Sequence, residues 1–156
     1  DHYDPRSRSV HLSPEVFHGR SISSTAVGSH EVGHAIQHAQ AYAFFRFRSA
    51  MFPAVSFASN IWVLFLLGGS FFQVTQFIIL AVALYSIAVL FQIVTLPVEF
   101  DASRRAKQQL NDLGLVPATE AGGVKSVLTA AAWTYVAGAL AAVAILLYYL
   151  SLLSSR

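Results

Sequence analysis

The sequence predicts an all-α, polytopic membrane protein, and two observations carry that prediction. Hydrophobic residues make up 55% of the 156 residues and charged residues only 12%, whereas about a quarter of the residues of a typical soluble domain are charged. The charges are also unevenly spread, because residues 49–98 and 126–155 contain no Asp, Glu, Lys, Arg or His. Uncharged apolar stretches of this length are typical of membrane-spanning helices.

Three spanning helices are expected. A span needs about 20 mostly apolar residues, so the first uncharged stretch holds two spans and the second holds one. The spans are placed at residues 50–68, 71–96 and 127–153. The Gly-Gly-Ser sequence at residues 68–70 is expected to supply the tight turn between the first two. The first span is interrupted by a proline and three polar residues, so a half-inserted or protein-covered helix is its alternative: Pro53, Ser56, Ser59 and Asn60.

The basic residues indicate which side of the membrane the polar segments occupy. All Lys and Arg residues except Arg156 lie before the first span or between the second and third. Three spans place these two regions on one side, which the positive-inside rule makes cytoplasmic. Nothing in this charge pattern indicates a nucleic-acid surface. The chain begins with Asp1 instead of Met, as in a truncated or processed chain, and a further N-terminal span is left open.

The polar segments carry their own helix signals, all within one predicted domain. Residues 1–48 form an N-terminal segment with a loop at 1–8, an extended piece at 9–13 and a short helix from Pro14 to about His18. A longer helix is expected from Thr25 to about Phe47, capped by Ser23 or Ser24. After the hairpin at residues 49–98, residues 99–125 should hold a charged amphipathic helix that ends at Gly114. Residues 126–156 then form the third span.

His30, Glu31 and His34 form an H-E-x-x-H motif within the longer helix. Residues four apart lie one turn apart on the same face of an α-helix, so the two imidazoles can hold one metal ion. Glu31 lies beside them, where a carboxylate can take a proton from a metal-bound water molecule. The chain has no cysteine, so a thiolate site is excluded. The motif predicts a zinc site with its general base; two exposed helix histidines are the alternative.

A third protein ligand is expected, because catalytic zinc sites usually have three. An extended H-E-x-x-H-x-x-G-x-x-H motif would need histidine at position 40, which is Gln40. His38 lies about 12 Å along the helix from His30, too far to share the ion. It is expected to orient a ligand, contact substrate or remain a polar helix residue. Glu99 is the better candidate, since Pro97 is expected to break or kink the helix and re-aim its carboxylate. An interfacial glutamate that merely ends a span is the alternative.

Three strings give the chain a family resemblance: DHYDP at residues 1–5, SHEVGHAIQ at 29–37 and LPVEFDASRRA at 96–106. Together they resemble the YugP-type membrane zinc metallopeptidases of bacteria over essentially the whole chain. More distantly, the chain is similar to the HtpX-type and CAAX-prenyl membrane proteases, in which a glutamate on a later helix completes the zinc site. Those relatives have an aspartate four residues after that glutamate, where this chain has Ser103. Asp101 is therefore expected to take over the supporting role, or to compete with Glu99 as the ligand.

The resemblance implies a gluzincin-type site that holds one Zn²⁺ per chain through His30, His34 and Glu99, with Glu31 as the catalytic base. It also implies a protein or peptide substrate associated with the membrane, and a multi-pass protein of the bacterial cytoplasmic (inner) membrane whose active site faces the cytoplasm. The oligomeric state is left open.

The implied reaction is metal-assisted peptide hydrolysis, in which Glu31 moves a proton from water to the leaving amine. The developing oxyanion needs a further donor, and five residues are candidates: His2, Tyr3, His38, Tyr42 and Arg104. Three aspartates are candidates for orienting the ligand imidazoles through their second ring nitrogen: Asp1, Asp4 and Asp101.

Two other classes of function compete with this interpretation. The first is a membrane scaffold that binds zinc without hydrolysing peptides. The second is a transporter with an incidental motif; ion pathways usually show a charged residue inside a span, and none of the predicted spans contains one.

Overall fold

The computed structural model describes residues 1–154, most of which are helical. Two short strands are followed by five helices: β1 (His2–Asp4), β2 (Ser9–His11), α1 (Pro14–Phe17), α2 (Ile22–Ala39), α3 (Ala43–Phe71), α4 (Thr75–Asp112) and α5 (Ala121–Ser154). Helices α3, α4 and α5 are long and apolar enough to cross a membrane. The predicted all-α polytopic membrane fold is confirmed.

The N-terminal segment is more ordered than the sequence predicts. Strands β1 and β2 pair antiparallel, with His2 opposite His11, so the loop predicted for residues 1–8 was wrong in part. The short helix α1 begins as predicted, because the Ser13 side chain accepts a hydrogen bond from the Val16 amide (3.4 Å). Helix α2 is capped by Ser21, whose hydroxyl accepts from the Ser24 amide; the predicted caps lie inside the helix.

Helix α2 ends at Ala39, so the single helix predicted from Thr25 to Phe47 was wrong. Ala41 has a left-handed backbone conformation (φ 52°), and the Tyr42 amide donates to the Gln37 carbonyl (2.9 Å) while the Ala41 amide donates to that of His38 (3.0 Å). This is a Schellman motif, which satisfies the last carbonyls of a helix. Glycine usually marks a Schellman motif in a sequence, but here the position is Ala41. The pattern of apolar residues therefore does not reveal the end of the helix.

The turn between the first two apolar helices also lies later than predicted. Helix α3 continues to Phe71, and Gln73 takes the left-handed conformation (φ 56°) in the turn. Gly69 is inside α3, where an added Cβ would lie 2.9 Å from the Ile78 backbone nitrogen. The glycine at position 69 therefore permits close approach of α3 and α4 and does not form the turn.

Helix α4 runs without interruption from Thr75 to Asp112, with Pro97 inside it. Of the break or kink predicted at Pro97, the break was therefore wrong, and so was the separate helix predicted beyond it. A proline removes one backbone donor, and the flanking apolar residues continue the helix on both sides. The end of the helix agrees with the prediction, because Gly114 (φ 61°) follows its last turn.

The chain packs as two compact units, one made of Asp1–Arg46 and Leu96–Tyr135, the other of Phe47–Thr95 and the chain from Val136 onward. In the first unit, α2, α4 and α5 share a hydrophobic core: Ala26, Ala106, Leu110, Val124 and Leu128. In the second unit, the Trp62 ring lies 4.7 Å from Tyr85 and 6.1 Å from Tyr149, centroid to centroid. The H-E-x-x-H motif and Glu99 both belong to the first unit.

Candidate metal centre

The first unit brings the half-buried His30 together with the buried His34 and Glu99. The two histidines lie one turn apart on α2, with ring centroids 4.7 Å apart. Glu99 comes from α4, and its Oε2 lies 3.0 Å from His30 Nε2 and 3.5 Å from His34 Nε2. Each residue offers one ligand atom, and these three atoms all lie within 4.8 Å of one another.

This donor set fits a zinc ion. Nitrogen and oxygen ligands of a tetrahedral zinc site lie about 2.0–2.2 Å from the ion, hence roughly 3.5 Å from each other. The Glu99 side chain is only 2% exposed and those of His30 and His34 are 14% and 9% exposed. A carboxylate buried this deeply is costly unless positive charge compensates it, and a bound cation would supply that charge.

Gly33 allows α4 to come this close to the motif helix. A Cβ at position 33 would lie 3.0 Å from the carbonyl carbon of Ala102 and nearer still to its oxygen. The obstacle is backbone, which cannot rotate away as a side chain can. Gly33 is thus a point of close approach, and α4 is the element that approaches.

The second ring nitrogen of each histidine contacts a different polar residue. Ser103 Oγ lies 3.2 Å from His30 Nδ1, and Gln37 Oε1 lies 3.0 Å from His34 Nδ1. Both Nε2 atoms consequently face Glu99. Metal-ligating histidines usually have such a partner on the nitrogen away from the metal, which fixes the orientation of the ring.

Gln37 is completely buried and links α2 to α4. Its amide nitrogen donates to the Val98 carbonyl (2.7 Å) and to Asp101 Oδ2 (2.9 Å). Asp101 in turn accepts hydrogen bonds from Arg104 and from Arg105 Nε. Burial acts to raise the pKa of Asp101, but the hydrogen bonds from Arg105, Arg104 and Gln37 outweigh it and hold that pKa below its usual value.

Glu31 is buried beside the two histidines of the motif. Three carboxylates in the described part of the chain are buried: Glu31, Glu99 and Asp101. Asp101 is paired with arginines and Glu99 contacts both imidazoles, whereas within residues 1–154 Glu31 has neither a hydrogen bond nor an ion pair to another side chain. Its carboxylate is therefore not committed to a structural role by the protein around it.

Tyr3 and His38 form a pair next to this cluster. The Tyr3 hydroxyl lies 2.7 Å from His38 Nδ1. The buried Phe45 ring packs between His38 and His34, at centroid distances of 5.6 Å and 6.1 Å. His38 is thus held by β1, and the structure does not add it to the His30–His34–Glu99 group.

The two N-terminal aspartates form hydrogen bonds away from the ligand imidazoles. Asp1 accepts from the Ser13 amide (2.6 Å). Asp4 accepts from the Arg6 amide and the Ser7 hydroxyl, both at 2.8 Å; these bonds lower the pKa of Asp4. Both residues stabilise the hairpin, and their candidacy as orienting residues is not supported.

The other candidates also have partners outside the cluster. The His2 ring stacks on His11, with centroids 4.8 Å apart. Arg105 lies over the Tyr42 ring, 5.7 Å from its centroid, and the largely exposed Arg104 bonds Asp101.

Sequence reasoning missed Gln37 and underrated Ser103. Gln37 lies three residues after His34, and Ser103 four residues after Glu99. Both spacings put the second residue on the helix face of the first. The spacing could have identified both residues as neighbours of the site. It does not predict which polar neighbour contacts an imidazole.

Comparison with known proteins places these residues in a family. Residues 1–154 match the family model described as "Putative neutral zinc metallopeptidase". A curated protein of Bacillus subtilis (strain 168), "Putative membrane protease YugP", is 51% identical over 140 residues. The match covers 90% of this chain and 62% of the relative, so the chain spans less than two thirds of that protein. No solved structure matches the chain.

Proposed function

The chain belongs to the family described as "Putative neutral zinc metallopeptidase", and we propose that it is a membrane-embedded zinc endopeptidase. His30, His34 and Glu99 would hold one zinc ion per chain, and Glu31 would be the catalytic base. The observation that carries this proposal is the convergence of three ligand atoms, from the half-buried His30 and the buried His34 and Glu99. They lie next to the buried carboxylate of Glu31, which has no protein partner among residues 1–154.

The residues of the site have separate tasks in peptide hydrolysis. When bound, zinc supplies Lewis-acid activation of a water molecule and of the peptide carbonyl. Glu31 takes a proton from the water as the water oxygen bonds to the carbonyl carbon. Glu31 then delivers that proton to the amide nitrogen as the carbon–nitrogen bond breaks, so that the amine leaves neutral and the carboxylate is regenerated. The protein keeps His30 and His34 oriented throughout.

The substrate and location follow from the apolar helices. A peptidase with three candidate spans meets its substrates at the bilayer, so membrane-associated proteins or peptides are the proposed substrates. The distribution of basic residues supports a site on the cytoplasmic side, and a bacterial inner membrane is the proposed location. The name of the Bacillus subtilis relative, "Putative membrane protease YugP", supports a membrane location.

A Glu31→Gln variant tests the proposal against a zinc-binding scaffold. The purified protein in detergent should lose cleavage of casein or of its own chain by at least about 100-fold, the range expected when a general base is removed, and should keep its zinc. Glu120→Gln is the matched control, because Glu120 is exposed in the turn just before α5; it should cleave at the wild-type rate. Wild-type protein that binds zinc but cleaves nothing, or a Glu31→Gln protein that cleaves normally, would contradict the proposal.

A further inference from the structure

Gln37 is the most deeply enclosed polar side chain of the first unit, at 0% exposure. It contacts three groups: His34 Nδ1 (3.0 Å), the Val98 carbonyl (2.7 Å) and Asp101 (2.9 Å). Nothing in the proposed reaction uses it directly. Its backbone is also fixed, because its carbonyl accepts the Tyr42 amide in the Schellman motif that ends α2.

The surroundings of Gln37 leave its amide a single orientation. One end of the amide faces two oxygen atoms, the Val98 carbonyl and a carboxylate oxygen of Asp101. Only the NH₂ end can satisfy both, because oxygen facing oxygen would leave two buried acceptors unpaired. The other end, which faces His34, must then be the oxygen.

An amide oxygen can only accept a hydrogen bond, so His34 must carry its proton on Nδ1. In the neutral ring this leaves the lone pair on Nε2, the nitrogen that faces Glu99. The Ser103 hydroxyl at His30 is less restrictive, since a hydroxyl can donate or accept. The two ligand histidines are thus constrained to different degrees.

We propose that Gln37 is a positioning residue that fixes the tautomer and orientation of His34 for metal binding, and that it transmits to His34 the anchoring provided by Asp101 and its two arginines. Asp101 therefore acts on His34 through Gln37, whereas a direct contact with an imidazole or the metal was expected from the sequence. This inference rests on the proposed zinc site, but not on the proposed peptidase activity.

The first test measures zinc affinity by chelator competition, and the visible absorption spectrum of the Co²⁺-substituted protein, in full-length protein in detergent. Gln37→Met keeps the length of the side chain and removes its hydrogen bonds. It should weaken zinc binding by about 10–100-fold and change the Co²⁺ spectrum. Ser103→Ala should weaken binding less. Gln108→Met makes the same change at an exposed position of α4 and should behave like wild type in both measurements.

Double variants show whether Asp101 acts through Gln37. Asp101→Asn should weaken zinc binding in the wild-type background and have no further effect in the Gln37→Met background. Ser103→Ala should weaken binding by the same factor in both backgrounds, because it acts on the other imidazole. If Asp101→Asn weakened zinc binding equally in both backgrounds, Asp101 would not act through Gln37.

A measurement on the unaltered protein keeps the proposal testable if Gln37→Met does not fold. In zinc-loaded protein labelled with ¹⁵N-histidine, long-range ¹H–¹⁵N spectra should show His34 protonated at Nδ1. The inference would be overturned if His34 were protonated at Nε2. It would also be overturned if a folded Gln37→Met protein had the zinc affinity and the Co²⁺ spectrum of the wild type. A third outcome separates the two proposals. If Gln37→Met loses zinc affinity as expected but the wild type cleaves no peptide, the role of Gln37 is supported and the peptidase function is rejected.

Discussion

Glu99 and Asp101 lie two residues apart on α4, yet their carboxylates have different partners. Glu99 contacts both ligand imidazoles, whereas Asp101 contacts Gln37 and two arginines. Two residues correspond to about 200° around a helix, so one carboxylate at most can face the ion. This geometry favours Glu99 over Asp101 as the ligand of the proposed site.

Substituting the two carboxylates should therefore have unequal effects. Glu99→Gln removes a charged ligand and should lower zinc affinity by more than about 100-fold, beyond the range typical of residues that only support a ligand. Asp101→Asn should lower it by about 10-fold or less, because the asparagine oxygen can still accept from Gln37. Chelator competition on the two purified variants measures both affinities. The reverse order would show that Asp101 is the ligand.

At the scale of the helices, the approach of α4 to α2 depends on Gly33. Gly33→Ala should force the helices apart, at a cost of about 1–3 kcal/mol for overpacking, and weaken zinc binding since the ligands come from both helices. Gly28→Ala is the control, because its Cβ would lie 3.6 Å from Leu12 in ordinary contact, and alanine is the better helix former. Gly33→Ala should have a lower unfolding temperature and a lower zinc affinity than Gly28→Ala. Equal values for the two variants would mean that the contact with Ala102 does not limit the approach of the helices.

The end of α2 gives a second prediction at this scale. Ala41 has a left-handed conformation that costs an L-residue with a Cβ roughly 1 kcal/mol, so Ala41→Gly should raise the unfolding temperature or leave it unchanged. Ala39→Gly places the same residue in the last helical turn and should lower it. Differential scanning of the proteins in detergent gives both values. A lower unfolding temperature for Ala41→Gly than for Ala39→Gly would argue against a helix break at this point.

At the scale of the whole molecule, the charge distribution predicts the orientation in the membrane. The chain has no cysteine, so single cysteines report topology without background. Ser23→Cys, exposed near the start of α2, should react with an impermeant thiol reagent only after the cells are permeabilised. Ser70→Cys, near the turn after α3, should react in intact cells. Labelling in the opposite order would place the site outside the cytoplasm.

The sequence by itself determined the features that depend on local composition. Uncharged apolar stretches predict the three long helices because the bilayer core sets a minimum length and excludes charge. Ser13 and Gly114 mark helix ends because their effects on the backbone are local. The spacing of His30 and His34 puts both imidazoles on one helix face for the same reason. Glu99 could be named as a candidate third ligand from its position after the second predicted span, and the family resemblance implied the same residue.

Only the tertiary structure decided the end of α2, the continuation of α4 past Pro97 and which side chains meet. The break at Ala41 lacks the usual glycine, and the passage of α4 through Pro97 goes against local propensity. Both depend on packing that single-residue preferences do not contain. The contacts that Gln37 and Ser103 make between α2 and α4 join residues 61 to 73 positions apart. Such contacts follow from the close approach of two helix backbones at Gly33, which appears in the sequence only as one small residue in a helix.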